Sequence, residues 1–303
     1  MGSGSFSNKK YVDDTTFRRS TGKKDFGYSD DVHSGRAHGI HESLDPMQIK
    51  NGVRESRDSD EHPNSLPIAV FFDVTGSMHW IPEALQKKLV TLMDVVKNAA
   101  NIADPQILMG AIGDSTCDKF PFQVGQFESD NRFDEQLRNI ILEGGGGGQH
   151  MESYALAYCF MANHTESDSF EKRGKKGYFF TIGDEAFWPK VSVNDLKTIF
   201  NVGSQLDFTM EELAATVRTK WHVFHLHANE GSYRDNPIVL NPWRELLGER
   251  VIVVEDAKKV CEIIAGLILS IETAQHVDSV MSHLGPEADN TVRKAITGAI
   301  QDL

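Results

Sequence analysis

From Leu66 onward, short apolar runs alternate with longer stretches of helical periodicity, and this alternation restricts the fold more than any other feature of the chain. Residues 66–72 form a continuous apolar run of strand length, and residues 82–103 repeat Leu85, Leu89, Leu92, Val95, Val96, Ala99 and Ile102 at helical spacing. Pro82 suits a first helical turn, and Asp104-Pro105 ends the helix. The pattern then predicts strands over 106–112, 178–182, 221–226 and 251–254. Helices are predicted over 133–142, 152–163, 193–200, 210–219, 241–247, 256–273 and 291–300. Residues 120–127 alternate and read as an antiparallel edge strand, with Pro121 tolerated near its start. The expected fold is α/β: a doubly wound, mainly parallel sheet with one antiparallel edge strand and helices on both faces. In such sheets ligands sit beyond the carboxyl ends of the strands.

Residues 1–65 differ from the rest. They are rich in Ser, Gly, Asp, Lys, Arg and His, and their ten basic and eleven acidic residues leave them almost neutral. Such composition buries little apolar surface alone, so the segment is expected to be either a flexible tail or an arm that orders on a partner. Leu44-Asp45-Pro46-Met47 and Val53 are its candidate anchors. The expected organisation is therefore a polar arm over 1–65, a main domain over 66–273 and a helical extension over 274–303.

The net charge of −13 argues against nucleic acid and anionic membrane as partners, because both select basic surfaces. Cys117, Cys159 and Cys261 are odd in number and widely spaced, so reduced thiols are expected rather than a disulfide framework or thiolate zinc site. The first residues lack the apolar core of a signal peptide, and the apolar stretch 260–271 contains Glu262 and is too short to span a bilayer. A cytoplasmic protein is expected.

The chemistry concentrates in Asp73-Val74-Thr75-Gly76-Ser77-Met78-His79, which follows the first strand directly. A carboxylate at a strand end, with hydroxyls at every second residue beyond it, offers oxygen ligands to a hard divalent cation such as Mg²⁺. The spacing resembles the Asp-x-Ser-x-Ser motif of von Willebrand factor A (vWA) domains of bacterial or phage type, with Thr75 in the middle hydroxyl position. That family builds a MIDAS-like metal site from three loops at the strand ends. Asp184, in Thr181-Ile182-Gly183-Asp184, matches its last acidic contributor. The middle loop departs from the pattern. Its five glycines, 144–148, are followed by Gln149-His150-Met151-Glu152-Ser153 and no Thr, so Gln149 or Ser153 is the remaining candidate ligand.

The resemblance implies Mg²⁺, with Mn²⁺ or Ca²⁺ as alternatives, held by Asp73, Thr75, Ser77 and Asp184. It further implies a protein partner whose exposed Asp or Glu completes the coordination shell, so that the chain is a non-enzymatic interaction module. An AAA-type ATPase or self-assembly is the family's usual context. Thr75 and Ser77 as simple helix caps is the plainer alternative. An assembly role for the 1–65 arm, with the metal site secondary, is a second function. A haloacid dehalogenase-like phosphatase is a third, but Thr75 stands where its general acid belongs. His225 and His227 share one strand face at a spacing that can bind zinc, without an evident third ligand. The glycine run lacks the Lys and Ser/Thr of a phosphate-binding loop.

Overall fold

The computed structural model describes residues 4–300, except His79, Asn101, Gly146, Gly147, Gln149, Gly231, Ser232 and Glu287, and describes only the backbone of Ser77. Among the described residues, six strands form the central sheet: β1 (Ser65–Asp73), β2 (Asp104–Ile112), β3 (Phe122–Val124), β4 (Gly177–Gly183), β5 (Trp221–Ala228) and β6 (Val251–Val254). Their spatial order is β6-β5-β4-β1-β2-β3. All neighbours run parallel except β2 and β3, which pair antiparallel from Gly110↔Val124 to Ile112↔Phe122. This is the doubly wound arrangement expected from the alternation, with the strand order reversing direction between β1 and β4.

Every residue of β1 is buried, which explains why it reads as a continuous apolar run rather than an alternating one. Its side chains nevertheless divide by parity. Ile68, Val70 and Phe72 join one core with α3 (Trp80–Asp94), α10 (Val260–Thr273) and α12 (Asn290–Ile300). Ala69 and Phe71 join the other with α5 (Tyr154–Asn163), α8 (Met210–Lys220) and α9 (Pro237–Leu247). A two-residue side-chain period thus places one strand's apolar groups in two separate cores.

Within the C-terminal part, α12 lies against α10 at Gly266. A Cβ there would come within 2.2 Å of Ile296 Cδ1, so the helices meet this closely only because the side chain is absent. Among the described residues, no helix is long and apolar enough to cross a membrane.

Residues 4–65 lie along the chain's own surface. They carry α1 (Asn8–Ser20) and α2 (Gly27–His33), and they bury Phe6, Tyr11, Phe26, Leu44 and Ile49 while leaving Val12, Phe17 and Met47 exposed. Phe6 stacks on Phe133 with ring centroids 5.2 Å apart. The Leu44 carbonyl accepts from the Val124 amide at 2.8 Å, and Arg54 donates to the Val124 carbonyl at 3.3 Å. These bonds occupy backbone groups of the edge strand β3 that would otherwise invite pairing with another chain. Further along, Arg54–Ser56 pairs in parallel with Thr165–Ser167. Arg57 bridges Glu55, Glu166, Asp168 and Glu171, and Arg173 holds Asp58 at 2.7 Å. Those contacts keep the carboxyls of Asp58 and Asp168 below the ordinary aspartate range despite partial desolvation.

Leu44 is fully buried. Leu44→Ala should therefore destabilise the whole chain by about 2–5 kcal/mol, read as a lower midpoint in a single urea transition. A loss under about 0.5 kcal/mol, the size of a surface substitution, would show that this segment lies outside the cooperative unit.

Candidate functional site

The carboxyl ends of β1 and β4 are adjacent at the reversal point, because Phe72 pairs with Ile182 in the parallel register. Asp73 and Asp184 follow on these two strands, and both are fully buried. Their apposition is thus a consequence of strand order and register rather than of loop conformation.

Asp73 turns one oxygen back on its own loop. Its Oδ1 accepts from the Thr75 amide at 2.7 Å and from Thr75 Oγ1 at 2.6 Å. An aspartate in such a turn satisfies backbone donors two residues on, and it fixes the direction in which the chain leaves the strand. Gly76–Met78 then form one tight helical turn before α3. Gly144 and Gly145 pack directly on this loop, with the Gly76 amide donating to the Gly145 carbonyl at 2.6 Å and the Gly144 amide to the Val74 carbonyl at 3.3 Å. A Cβ on Gly76 would sit 3.2 Å from both the Gly144 and Gly145 carbonyl oxygens, so a larger residue there would push the two loops apart by a few tenths of an ångström.

Behind Asp73 stands Tyr154, also fully buried, whose hydroxyl lies 3.5 Å from Asp73 Oδ2. Gly183 makes room for it, since a Cβ there would come within 1.7 Å of the Tyr154 oxygen. Tyr154 packs edge-on against His225 and Trp243. His225 stacks on Trp243 at 3.7 Å and makes a 3.0 Å hydrogen bond with Thr181 Oγ1. Burial holds both strand histidines neutral, His227 down to about 4. Their ring centroids are 6.2 Å apart, and neither joins a metal-ligating group among the described residues. They are part of the wall behind the site.

The middle loop follows a different course from the one expected. Gln149 lies outside the described residues. Ser153 is buried but faces the loop after β2, where its Oγ accepts from the Ser115 amide at 2.9 Å and donates to Ser115 Oγ at 3.1 Å. The Ser77 side chain also lies outside the description. Of the six candidate ligands, Asp73, Thr75 and Asp184 are placed at the junction of β1 and β4, and Ser153 is turned to a neighbouring loop.

Two carboxylates that the sequence did not single out enter the site instead. Met151–Glu152 pairs in parallel with Ala186–Phe187, the segment just after Asp184. This ribbon sets Glu152, 2 % exposed, beside Glu185, 9 % exposed. Asp114 and the half-buried Asp118 complete the group from the loop after β2, and Asp114 is gripped by Thr116 and by Trp188 Nε1 at 3.0 Å. Desolvation, reinforced by mutual repulsion, raises the carboxyls of Asp73 and Glu152, and it raises that of Glu185 to about 8. Glu152 Oε2 and Glu185 Oε2 have no hydrogen-bond partner.

The donor set is one a hard divalent cation would take: carboxylate and hydroxyl oxygens, two of them buried without partners. Among the described residues, however, no three acidic, His or Cys side chains already converge as a coordination shell. The oxygen donors suit such an ion in chemistry without forming a shell of acidic groups around it.

Sheet topology defines the class: a mixed α/β, doubly wound vWA/Rossmann-like fold with its acidic group at the strand reversal. No protein-family model matches the chain, and no curated protein matches it. Among solved structures it is similar to the pilus adhesin SpaC from Lactobacillus rhamnosus GG, at 10 % identity and TM-score 0.47 over 73 % of this chain and 32 % of that one. It is also similar to proximal thread matrix protein 1 from the mussel byssus with a zinc-occupied MIDAS motif (10 % identity, TM-score 0.43, 68 % of this chain and 48 % of that one). A third similarity is to a von Willebrand factor type A protein from Catenulispora acidiphila (12 % identity, TM-score 0.37, 68 % and 42 %). The chain thus spans less than half the length of each.

Buried like charges should weaken the cation-free protein. Glu185→Gln is expected to raise its melting temperature in EDTA by roughly 2 °C, the scale of about 1 kcal/mol in a chain of this size. A fall of similar size would show that the carboxylate stabilises the fold by itself.

Proposed function

We propose that this chain is a non-enzymatic protein-interaction module that binds a divalent cation, Mg²⁺ foremost, at the junction of β1 and β4. Through that cation it engages an exposed Asp or Glu of a partner. The observation that carries this reading is the concentration of buried acidic groups at the strand ends, with Asp73 and Asp184 fully buried and Glu152 and Glu185 nearly so. Buried carboxylates cost several kcal/mol each unless compensated, and nothing in the packing of an α/β core requires four of them near one strand reversal. A cation supplies that compensation and leaves coordination positions open to an incoming carboxylate.

The chain's own residues have separate tasks in this scheme. Asp73 and Asp184 provide charge from two rigid strand ends, and Thr75 provides a neutral oxygen from the adjoining turn. Gly183 makes room for the buried Tyr154 behind Asp73, and Gly76 lies against Gly144 and Gly145. The absence of a second acid at position 75 disfavours phosphatase chemistry, because no general acid stands two residues beyond Asp73.

The alternative, assembly through residues 1–65, receives less support. Of the expected anchors, Leu44 is buried in the chain's own core, together with Phe6, Tyr11 and Phe26, while Met47 is exposed, as are Val12 and Phe17.

Isothermal titration of Mg²⁺ and Mn²⁺ into the full chain and into Asp73→Ala tests the reading. One site in the wild type and a loss of at least about tenfold in affinity in the variant are expected, equivalent to about 1.4 kcal/mol. Equal uptake by both proteins would rule out the metal site.

A further inference from the structure

The central sheet ends in two edge strands that the chain treats differently. The outer edge of β3 is engaged by the chain itself, through the bonds of Leu44 and Arg54 to Val124. At the opposite end, β6 pairs only with β5 among the described residues, in a parallel register that sets Ala228 beside Val254. The Asn229 amide donates to the Val254 carbonyl at 2.8 Å, so Val254 and, two residues back, Ile252 turn their backbone groups toward β5. Val251 and Val253 therefore turn theirs outward. The Val251 amide is taken by the Gly248 carbonyl, which leaves the Val251 carbonyl and both backbone groups of Val253 facing out. A groove of about 380 Å³ runs along this edge, with half-buried Val251 and Val253 on one side and Thr291, Ala295 and Gly298 of α12 on the other. At Gly298 a Cβ would meet no atom within 4 Å, so that helix face is open as well as small. An edge strand of consecutive β-branched residues, with no charge or proline inside it, is a template for another strand.

We propose that the occupant of this edge is β6 of a second copy of the chain, paired antiparallel across a two-fold axis, so that the two sheets join into one. The register follows from the backbone. Outward groups must face outward groups, so the axis passes through Val251, Ile252 or Val253. Centring on Val251 would lay Ile252, Val253 and Val254 against Gly248–Arg250, which is a tight helical turn and not a strand. Centring on Ile252 sets Glu249 against Glu255 of the other copy at both ends, and like charges directly opposite each other destabilise a strand pair. Centring on Val253 pairs Ile252 with Val254 on the face that α12 covers, and it sets Arg250 opposite Asp256 of the other copy. Opposite charges there favour the pair, and they do so at both ends because the contact is isologous. The Val253 amide and carbonyl then bond the same groups of Val253 across the axis, and the small face of α12 leaves room for the second α12 alongside. This pairing goes beyond the cation-dependent reading and is independent of it, since β5 stands between β6 and the β4–β1 junction.

Sedimentation velocity of the full chain over a range of concentrations, in EDTA, tests the pairing on wild type, Val253→Pro, Arg250→Asp, Asp256→Arg and an equal mixture of the last two. Wild type should show a reversible monomer–dimer equilibrium. Val253→Pro removes the outward amide without touching a bond to β5, so it should weaken dimerisation at least about tenfold while unfolding in urea near the wild-type midpoint. Arg250→Asp and Asp256→Arg each set like charges against each other at both ends, and each alone should dimerise more weakly than wild type. Mixed, they restore opposite charges at both ends and should form a heterodimer, a rescue that a folding defect in either variant would not produce. Wild type that stays monomeric up to its solubility limit overturns the proposal, whether the edge is empty or holds a strand of another protein. A dimer that neither Val253→Pro nor the charge variants weaken overturns it as well, because its interface then lies elsewhere.

Discussion

The adjacency of the carboxyl ends of β1 and β4 is the constraint on which the rest of the site depends. A parallel sheet that reverses its strand order must leave a crevice at that point, because the connections on either side depart in opposite directions. Here two aspartates arrive in it on adjacent strands, fixed by a register that pairs Phe72 with Ile182. Everything nearby accommodates them. Gly183 yields space to Tyr154, Gly76 lies against Gly144 and Gly145, and the Met151–Glu152 ribbon closes over the third side. The fold tolerates this arrangement because two large cores, one on each face of β1, supply stability elsewhere. Buried charge gathered near one strand reversal against a well-packed background is the usual distribution at a working site.

Much of this was legible from residue order. The 66–72 run is apolar throughout because β1 is covered on both faces, so its type and position were readable. Asp73 and Asp184 were also readable, because each directly follows a buried strand and strand ends are where such sheets place ligands. The single antiparallel edge strand followed from its alternating pattern, although only Phe122–Val124 pairs regularly. The helix expected over 82–103 ends earlier: α3 stops at Asp94 and passes through a wider turn at Val95–Ala99, so that β2 can begin at Asp104.

Glu152 was not legible, and the reason is physical. Nothing local distinguishes a glutamate that will be buried from one on a solvated helix face. Its burial comes from a pairing of two residues with two, between segments more than thirty positions apart. Such short ribbons carry no periodicity. Ser153 misled for the opposite reason: a hydroxyl at a helix start is a reasonable ligand, but Ser115 offers it a nearer partner. Residues 4–65 present a related case. Their apolar side chains are too few and too scattered to form a pattern, yet Phe6, Tyr11, Phe26, Leu44 and Ile49 each reach a prepared place on the domain. Polar links such as Arg57 with Asp168 and Arg173 with Asp58 join positions more than a hundred residues apart, and no reading of neighbours anticipates them.

The central claim is that the acidic junction of β1 and β4 is a cation site. Anomalous scattering from crystals of the full chain soaked in Mn²⁺ tests this most directly. A single strong anomalous peak within coordination distance of the Asp73 and Asp184 carboxylates is expected. Density at full Mn²⁺ saturation that lies elsewhere on the surface, with none between those two strand ends, would contradict it.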